Sequence, residues 1–90
     1  MQMFVDADEA YLAWTRWNSE GYVLNVGRNP SPSTPIMMHL AACELISMRA
    51  HRYTTGDYIK ICSLDRQELI DWAGREDADG ELTTDCHCLN

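Results

Sequence analysis

The placement of cysteine and histidine constrains this chain more than any other feature. Its last nine residues read LTTDCHCLN, which puts Cys86, His87 and Cys88 side by side. A polar segment has little packing reason to carry two thiols. The middle of the chain adds His39 and Cys43, four positions apart, a further thiol at Cys62 and a third imidazole at His51. Zinc takes four ligands in a tetrahedral array, from thiolate sulfur and imidazole nitrogen. The most economical set is His39, Cys43, Cys86 and Cys88, with Cys62 as the alternative fourth ligand in place of His39. Bound zinc would fasten the C-terminal thiols to the interior, and its binding energy would become folding energy. The competing readings are small buried thiols, a hydrogen-bonded histidine without metal, and oxidation to a disulfide.

Ninety residues set a single small domain, 1–90. A core of that size is marginal, and small domains commonly add a staple. The opening MQMFVDADEAYLAW has neither a basic leader nor a long apolar run, and no stretch reaches the ~18 apolar residues of a membrane span. The expected location is the cytoplasm, where thiols stay reduced and metal binding is favoured over disulfides.

Fourteen acidic residues against seven basic ones give a net charge of −7. That sign opposes general phosphate binding, which relies on Lys and Arg. The charge is uneven. Between Asp65 and Asp85 stand eight carboxylates and two cations, whereas Arg28, Arg49, Arg52 and Lys60 make the middle mildly basic. Those four cations are the candidate partner-binding residues. The acidic stretch serves as a solvated face or as a mimic of nucleic acid.

Local patterns suggest an order of helix, three strands, helix and tail. Asp6 to Asn18 reads as a helix, capped by Asp6 or Asp8, with Ala10, Trp14 and Trp17 as a core stripe and Tyr11 beside it. Tyr22 to Val26 reads as a strand with Tyr22, Leu24 and Val26 on one face. The segment RNPSPSTP is a stiff loop. IMMHL reads as a second strand, and AACELI as a helical turn that sets His39 and Cys43 on one side. DYIKICS reads as a third strand, with Ile59 and Ile61 opposite Tyr58, Lys60 and Cys62. Ser63 is the expected cap of a helix over LDRQELIDWAGRE, with Leu69, Trp72 and Ala73 as its apolar stripe. EDADGELTTD reads as a loop. The expected architecture is α+β: a small antiparallel three-stranded sheet with an N-terminal and a C-terminal helix packed on it.

The string AYLAW…GYVLNVGRNPSPS…MMHLAAC…YTTGDYIKICSLDRQELIDWA…CHC resembles a small bacterial module of unassigned function, from Tyr11 to Cys88. That resemblance implies a stand-alone or appended accessory domain and no known reaction. The order of a cysteine, strands, a helix and two close cysteines is also loosely similar to the zinc-binding domain of the Ada DNA-repair protein. There thiolates hold zinc, and one of them accepts a methyl group from phosphate. By position, Cys43, Cys86 and Cys88 match its cysteine ligands. Here Cys-x-Cys replaces Cys-x-x-Cys, a histidine stands in for a thiolate and the chain is acidic, so zinc alone carries over.

No catalytic set assembles from the sequence. The pair of His39 and Cys43 lacks a third orienting group, Gly21 and Gly27 lack the spacing of a phosphate loop, and REDADGE does not match a calcium loop. The chain is therefore expected to be no enzyme but an interaction or accessory module with a protein partner. The alternatives are an acidic phage or mobile-element inhibitor that mimics nucleic acid, and a zinc-dependent nucleic-acid reader using the four cations. No membrane contact is expected.

Overall fold

The computed structural model describes residues 1–29, 31, 34–47, 52–75, 80–84 and 86–89. The chain folds as a small α+β unit, as expected. Its sheet, however, has five strands rather than three, and it is mixed rather than antiparallel.

The elements, in chain order, are β1 (Gln2–Phe4), α1 (Asp8–Trp17), β2 (Tyr22–Gly27), β3 (Ile36–Leu40), α2 (Glu44–Ser47), β4 (Tyr58–Ser63), α3 (Arg66–Ala73) and β5 (Leu82–Thr83). A 3₁₀ turn at His87–Leu89 follows. The sheet runs β1-β4-β2-β3-β5. The three expected strands form its antiparallel centre. The two additional strands are short and sit at the edges. β1 is antiparallel to β4, and β5 is parallel to β3. Two or three residues are too few to display the alternation that marks a strand, so edge pairing alone makes them strands.

β2 sits between β3 and β4 and is covered on both faces, which is why it reads as a nearly continuous apolar run. Val23 points into one core with Phe4, Tyr11, Ala41, Ile46 and Cys62. Leu24 and Val26 point into the other, with Ile36, Met38, Ile61 and Leu69. α1 and α2 cover the first face and α3 the second, so the two long helices lie on opposite sides of the sheet.

α1 starts at Asp8 rather than Asp6, and neither aspartate caps it. The cap position is Ala7, without a side-chain cap bond. The helix is also rotated relative to the expected stripe: Tyr11 and Thr15 are buried, whereas Ala10 is exposed and Trp17 is 85% exposed. Tyr11 sets this rotation. Its hydroxyl donates to the Ile46 carbonyl at 2.9 Å, and its ring packs edge-on against Phe4. α3 is capped by Asp65, which accepts from the Gln67 N–H at 2.9 Å. Ser63 stays in β4, accepting from the Asp65 N–H and donating to Glu68. Leu69 and Ala73 are buried as expected, with Trp72 packed beside them.

A polar clasp ties the start of α1 to the 52–57 segment. Asp8 accepts from the Thr54 N–H and hydroxyl, each at 2.6 Å, and from the Tyr53 N–H and the Thr55 hydroxyl. Arg28 donates to the carbonyls of Gly56 and Thr54 and forms a 2.8 Å ion pair with Asp6. Burial raises the Asp8 carboxyl, but these donors outweigh it and hold the group below the usual carboxylate range. Replacing Asp8 with Asn is expected to cost about 1–3 kcal/mol at pH 7, measured by urea unfolding. The folded pKa lies below the unfolded one. The contribution is therefore complete above the ordinary carboxylate pKa and is lost as pH falls through the folded value. The stability gap between wild type and Asp8→Asn should close on acidification.

Candidate metal centre

The parallel pairing of β5 with β3 positions the C-terminal thiols. Ile36 lies opposite Leu82 and Met37 opposite Thr83, and the Ile36 N–H donates to the Glu81 carbonyl. Because the two segments run the same way, each step along one is matched along the other. Residues beyond Thr83 therefore advance toward the end of β3, where His39 and Leu40 stand. An antiparallel pairing would carry them away. Gly80 permits this approach: a Cβ at that position would lie 2.5 Å from the Thr34 carbonyl oxygen and 3.0 Å from Ile36.

His39 is the penultimate residue of β3. It sits opposite Val23 on the α1 side of the sheet and is 5% exposed. Cys43 was expected one helical turn from His39. Instead a tight turn intervenes, closed by the Cys43 N–H donating to the Leu40 carbonyl, and Cys43 sits just before α2. The turn brings Cys43 back over the end of β3. Cys86 and Cys88 were expected to share a direction along an extended segment. They lie instead on a 3₁₀ turn in which the Leu89 N–H bonds the Cys86 carbonyl.

One ligand atom from each of His39, Cys43, Cys86 and Cys88 lies within 4.8 Å of the others. The Cys43 and Cys86 sulfurs are 3.8 Å apart. Four ligands about 2.3 Å from one ion in a tetrahedron lie roughly 3.8 Å from one another, so this cluster can hold a metal ion. His39 supplies an independent sign. Its Nδ1 is buried and has no hydrogen-bond partner among the described residues. Buried polar atoms are ordinarily satisfied, and leaving one bare costs about 1–3 kcal/mol. A cation bound through Nδ1 would satisfy it.

The backbone around the cluster favours thiolates. The Leu40 N–H donates to the Cys88 sulfur at 3.3 Å. Burial raises the Cys86 thiol, but the Cys88 backbone N–H and the neighbouring thiols bring it below its ordinary value. Cys88 moves the other way, pushed up by burial and by the adjacent sulfurs. Burial, with Lys60 and His87 nearby, lowers the His39 pKa and so favours the neutral imidazole that binds metal.

The other predicted residues fall elsewhere. Cys62 does not join the cluster. It lies opposite Val23 on the far side from His39, two strand spacings or roughly 10 Å away, and is fully buried in the core. His87 is exposed and outside the cluster. His51, Arg49, residues 76–79 and Asp85 lie outside the described residues. Of the candidate partner cations, Arg28 is spent on the clasp. Lys60 is buried and donates to Asn25 Oδ1 and the Tyr53 carbonyl. Only Arg52 of the three described cations is exposed. Sequence reasoning missed the Leu40 N–H and Gly80. A backbone donor leaves no mark in a sequence, and the glycine is hidden in an apparent loop.

Comparison with protein-family models, with curated proteins and with solved structures gave no match for this chain. Among the described residues, no helix is long and apolar enough to cross a membrane.

Two measurements probe this arrangement. Cys62 is fully buried, and burial pushes its thiol up to about 12, so alkylation of the metal-free native protein at pH 8, read by mass spectrometry, should reach Cys62 last among the four cysteines. Gly80→Ala retains every ligand but disturbs the β3–β5 register. Its metal affinity, measured by competition with a chromogenic chelator, should fall at least about tenfold.

Proposed function

We propose that this chain is a non-enzymatic interaction module, stapled by one zinc ion on His39, Cys43, Cys86 and Cys88, that docks a protein partner. The observation that carries the reading is the buried, unpartnered Nδ1 of His39 in a residue clustered with three thiols. Three soft sulfurs and one imidazole are a donor set suited to zinc. All four tetrahedral positions would be filled from the protein. That leaves no place for a reacting water and favours a structural role over a catalytic one. The staple would join the end of β3, the entry to α2 and the C-terminal segment, the last of which is tied to β3 by the short β5 pairing, the Ile36–Glu81 bond and the Leu40–Cys88 contact.

Support for a protein partner comes from exposed apolar side chains. Met3 in the edge strand β1 is exposed, as are Met1 and Val5 on either side of it, Leu64 after β4 and Trp17 at the end of α1. Large exposed apolar groups on a small acidic domain are a feature of docking surfaces.

Protein purified without a metal-binding tag under reducing conditions should contain close to one zinc per chain by elemental analysis. Chelation should lower the melting temperature by more than about 10 °C, and added zinc should restore it. Cys43→Ser should lose most of the bound zinc. Metal-free protein whose melting is unaffected by chelator or added zinc would refute the staple.

A further inference from the structure

Lys60 is not part of the metal cluster, yet its surroundings are unusual. It lies in the middle of β4, 5% exposed, on the α1 face of the sheet. Its Nζ donates to Asn25 Oδ1 at 2.6 Å and to the Tyr53 carbonyl at 2.9 Å, and it stands 5.8 Å from the centre of the Tyr11 ring. All three partners are neutral. Among the described residues, no carboxylate forms an ion pair with it. Cys62 and Asp8 are the acidic groups whose fields reach it, but burial holds the Cys62 thiol in its neutral form and the oxygens of Asp8 are already committed to the 53–55 segment. A buried ammonium with neutral partners pays desolvation without a compensating counter-charge.

The same lysine forms part of the wall of a cavity of about 370 Å³. Asn25, Arg52, Tyr53, Asp57 and Tyr58 also line it. That volume is in the range of small-molecule sites, roughly 300–1,000 Å³. Two cations against one carboxylate leave the lining net positive in a chain whose overall charge is −7. An ammonium has three donors, and two are spent on the wall. Tyr58 is 44% exposed and offers an apolar ring at the rim.

From the cavity, the buried unpaired ammonium and the exposed guanidinium of Arg52, we infer that this pocket binds the anionic group of a small molecule, a phosphate ester or a carboxylate. Lys60 supplies its third N–H and the missing counter-charge from the pocket wall. Arg52 closes on the anion from solvent with its planar fork. Asn25 and the Tyr53 carbonyl hold the ammonium in place without neutralising it. Burial draws the Lys60 pKa down to about 8, and a bound anion would reverse that penalty. No zinc ligand lines this pocket, so the site stands or falls independently of the staple.

The test is a titration of the full-length protein with inorganic phosphate and, separately, with acetate. Ionic strength is held constant with chloride, and binding is followed by ¹H–¹⁵N correlation spectra. Saturable shifts are expected at the Asn25 side-chain amide and at the backbone amides of Tyr53, Gly56 and Tyr58. Tighter binding of phosphate would assign a phosphate ester, and tighter binding of acetate a carboxylate. Lys60→Met keeps the apolar stem and should weaken binding at least tenfold. Arg52→Gln changes an exposed side chain, should fold normally and should weaken binding about threefold to tenfold. If Lys60→Met fails to fold, Arg52→Gln and the wild-type titration decide the matter. Absence of saturable shifts with either anion up to about 50 mM would overturn the inference. Unchanged affinity in a folded Lys60→Met, or in Arg52→Gln when Lys60→Met does not fold, would overturn it equally.

Discussion

The parallel pairing of Leu82–Thr83 with Ile36–Met37 is the constraint on which the candidate metal centre depends. It is two residues long and lies at the edge of the sheet, yet it sets the direction in which the C-terminal segment travels. Running alongside β3, that segment brings Cys86 and Cys88 to His39 and Cys43. Such a short pairing has little stability of its own, because an edge strand is covered on one side only. A metal ion held by residues from both partners would supply the missing cohesion, and the pairing would pre-arrange the ligands. Each feature strengthens the other.

The rest of the fold is organised around β2. With neighbours on both sides and helices over both faces, this strand places Val23 in one core and Leu24 in the other, both fully buried. The α1 face carries all the unusual chemistry. His39, Val23 and Cys62 form one row across it, and Asn25 and Lys60 form another. The first row separates a candidate ligand from a structural thiol by a valine. The second holds a cation beside a cavity. The clasp of Asp6, Asp8 and Arg28 fixes the 52–57 segment that forms part of the cavity wall.

Much of this was legible in advance, and the failures share a cause. The strand Ile36–Leu40 matches expectation residue for residue, and Tyr58–Ser63 starts one residue after the DYIKICS stretch expected, because apolar runs of five or six report burial directly. The four clustered residues were named from ligand chemistry alone. What could not be read were features created by partners distant in sequence. Trp17 looked like core by helical spacing, but α1 turns on its axis to satisfy Tyr11, whose acceptor is Ile46, 35 positions away. Arg28 and Lys60 looked like surface cations, but backbone carbonyls in the 53–56 segment draw them inward. β1 and β5 carry too few residues for any periodicity.

By itself, the sequence determined the α+β class, the antiparallel centre of the sheet and the inventory of soft donors, because side-chain period and ligand type are local properties. Tertiary structure decided which donors meet. It excluded Cys62 by placing Val23 between that thiol and His39. It selected the C-terminal pair through one parallel register, and it turned a lysine read as surface charge into a buried cation beside a cavity. Those outcomes depend on distances between segments far apart in the chain, and such distances exist only once the chain has folded.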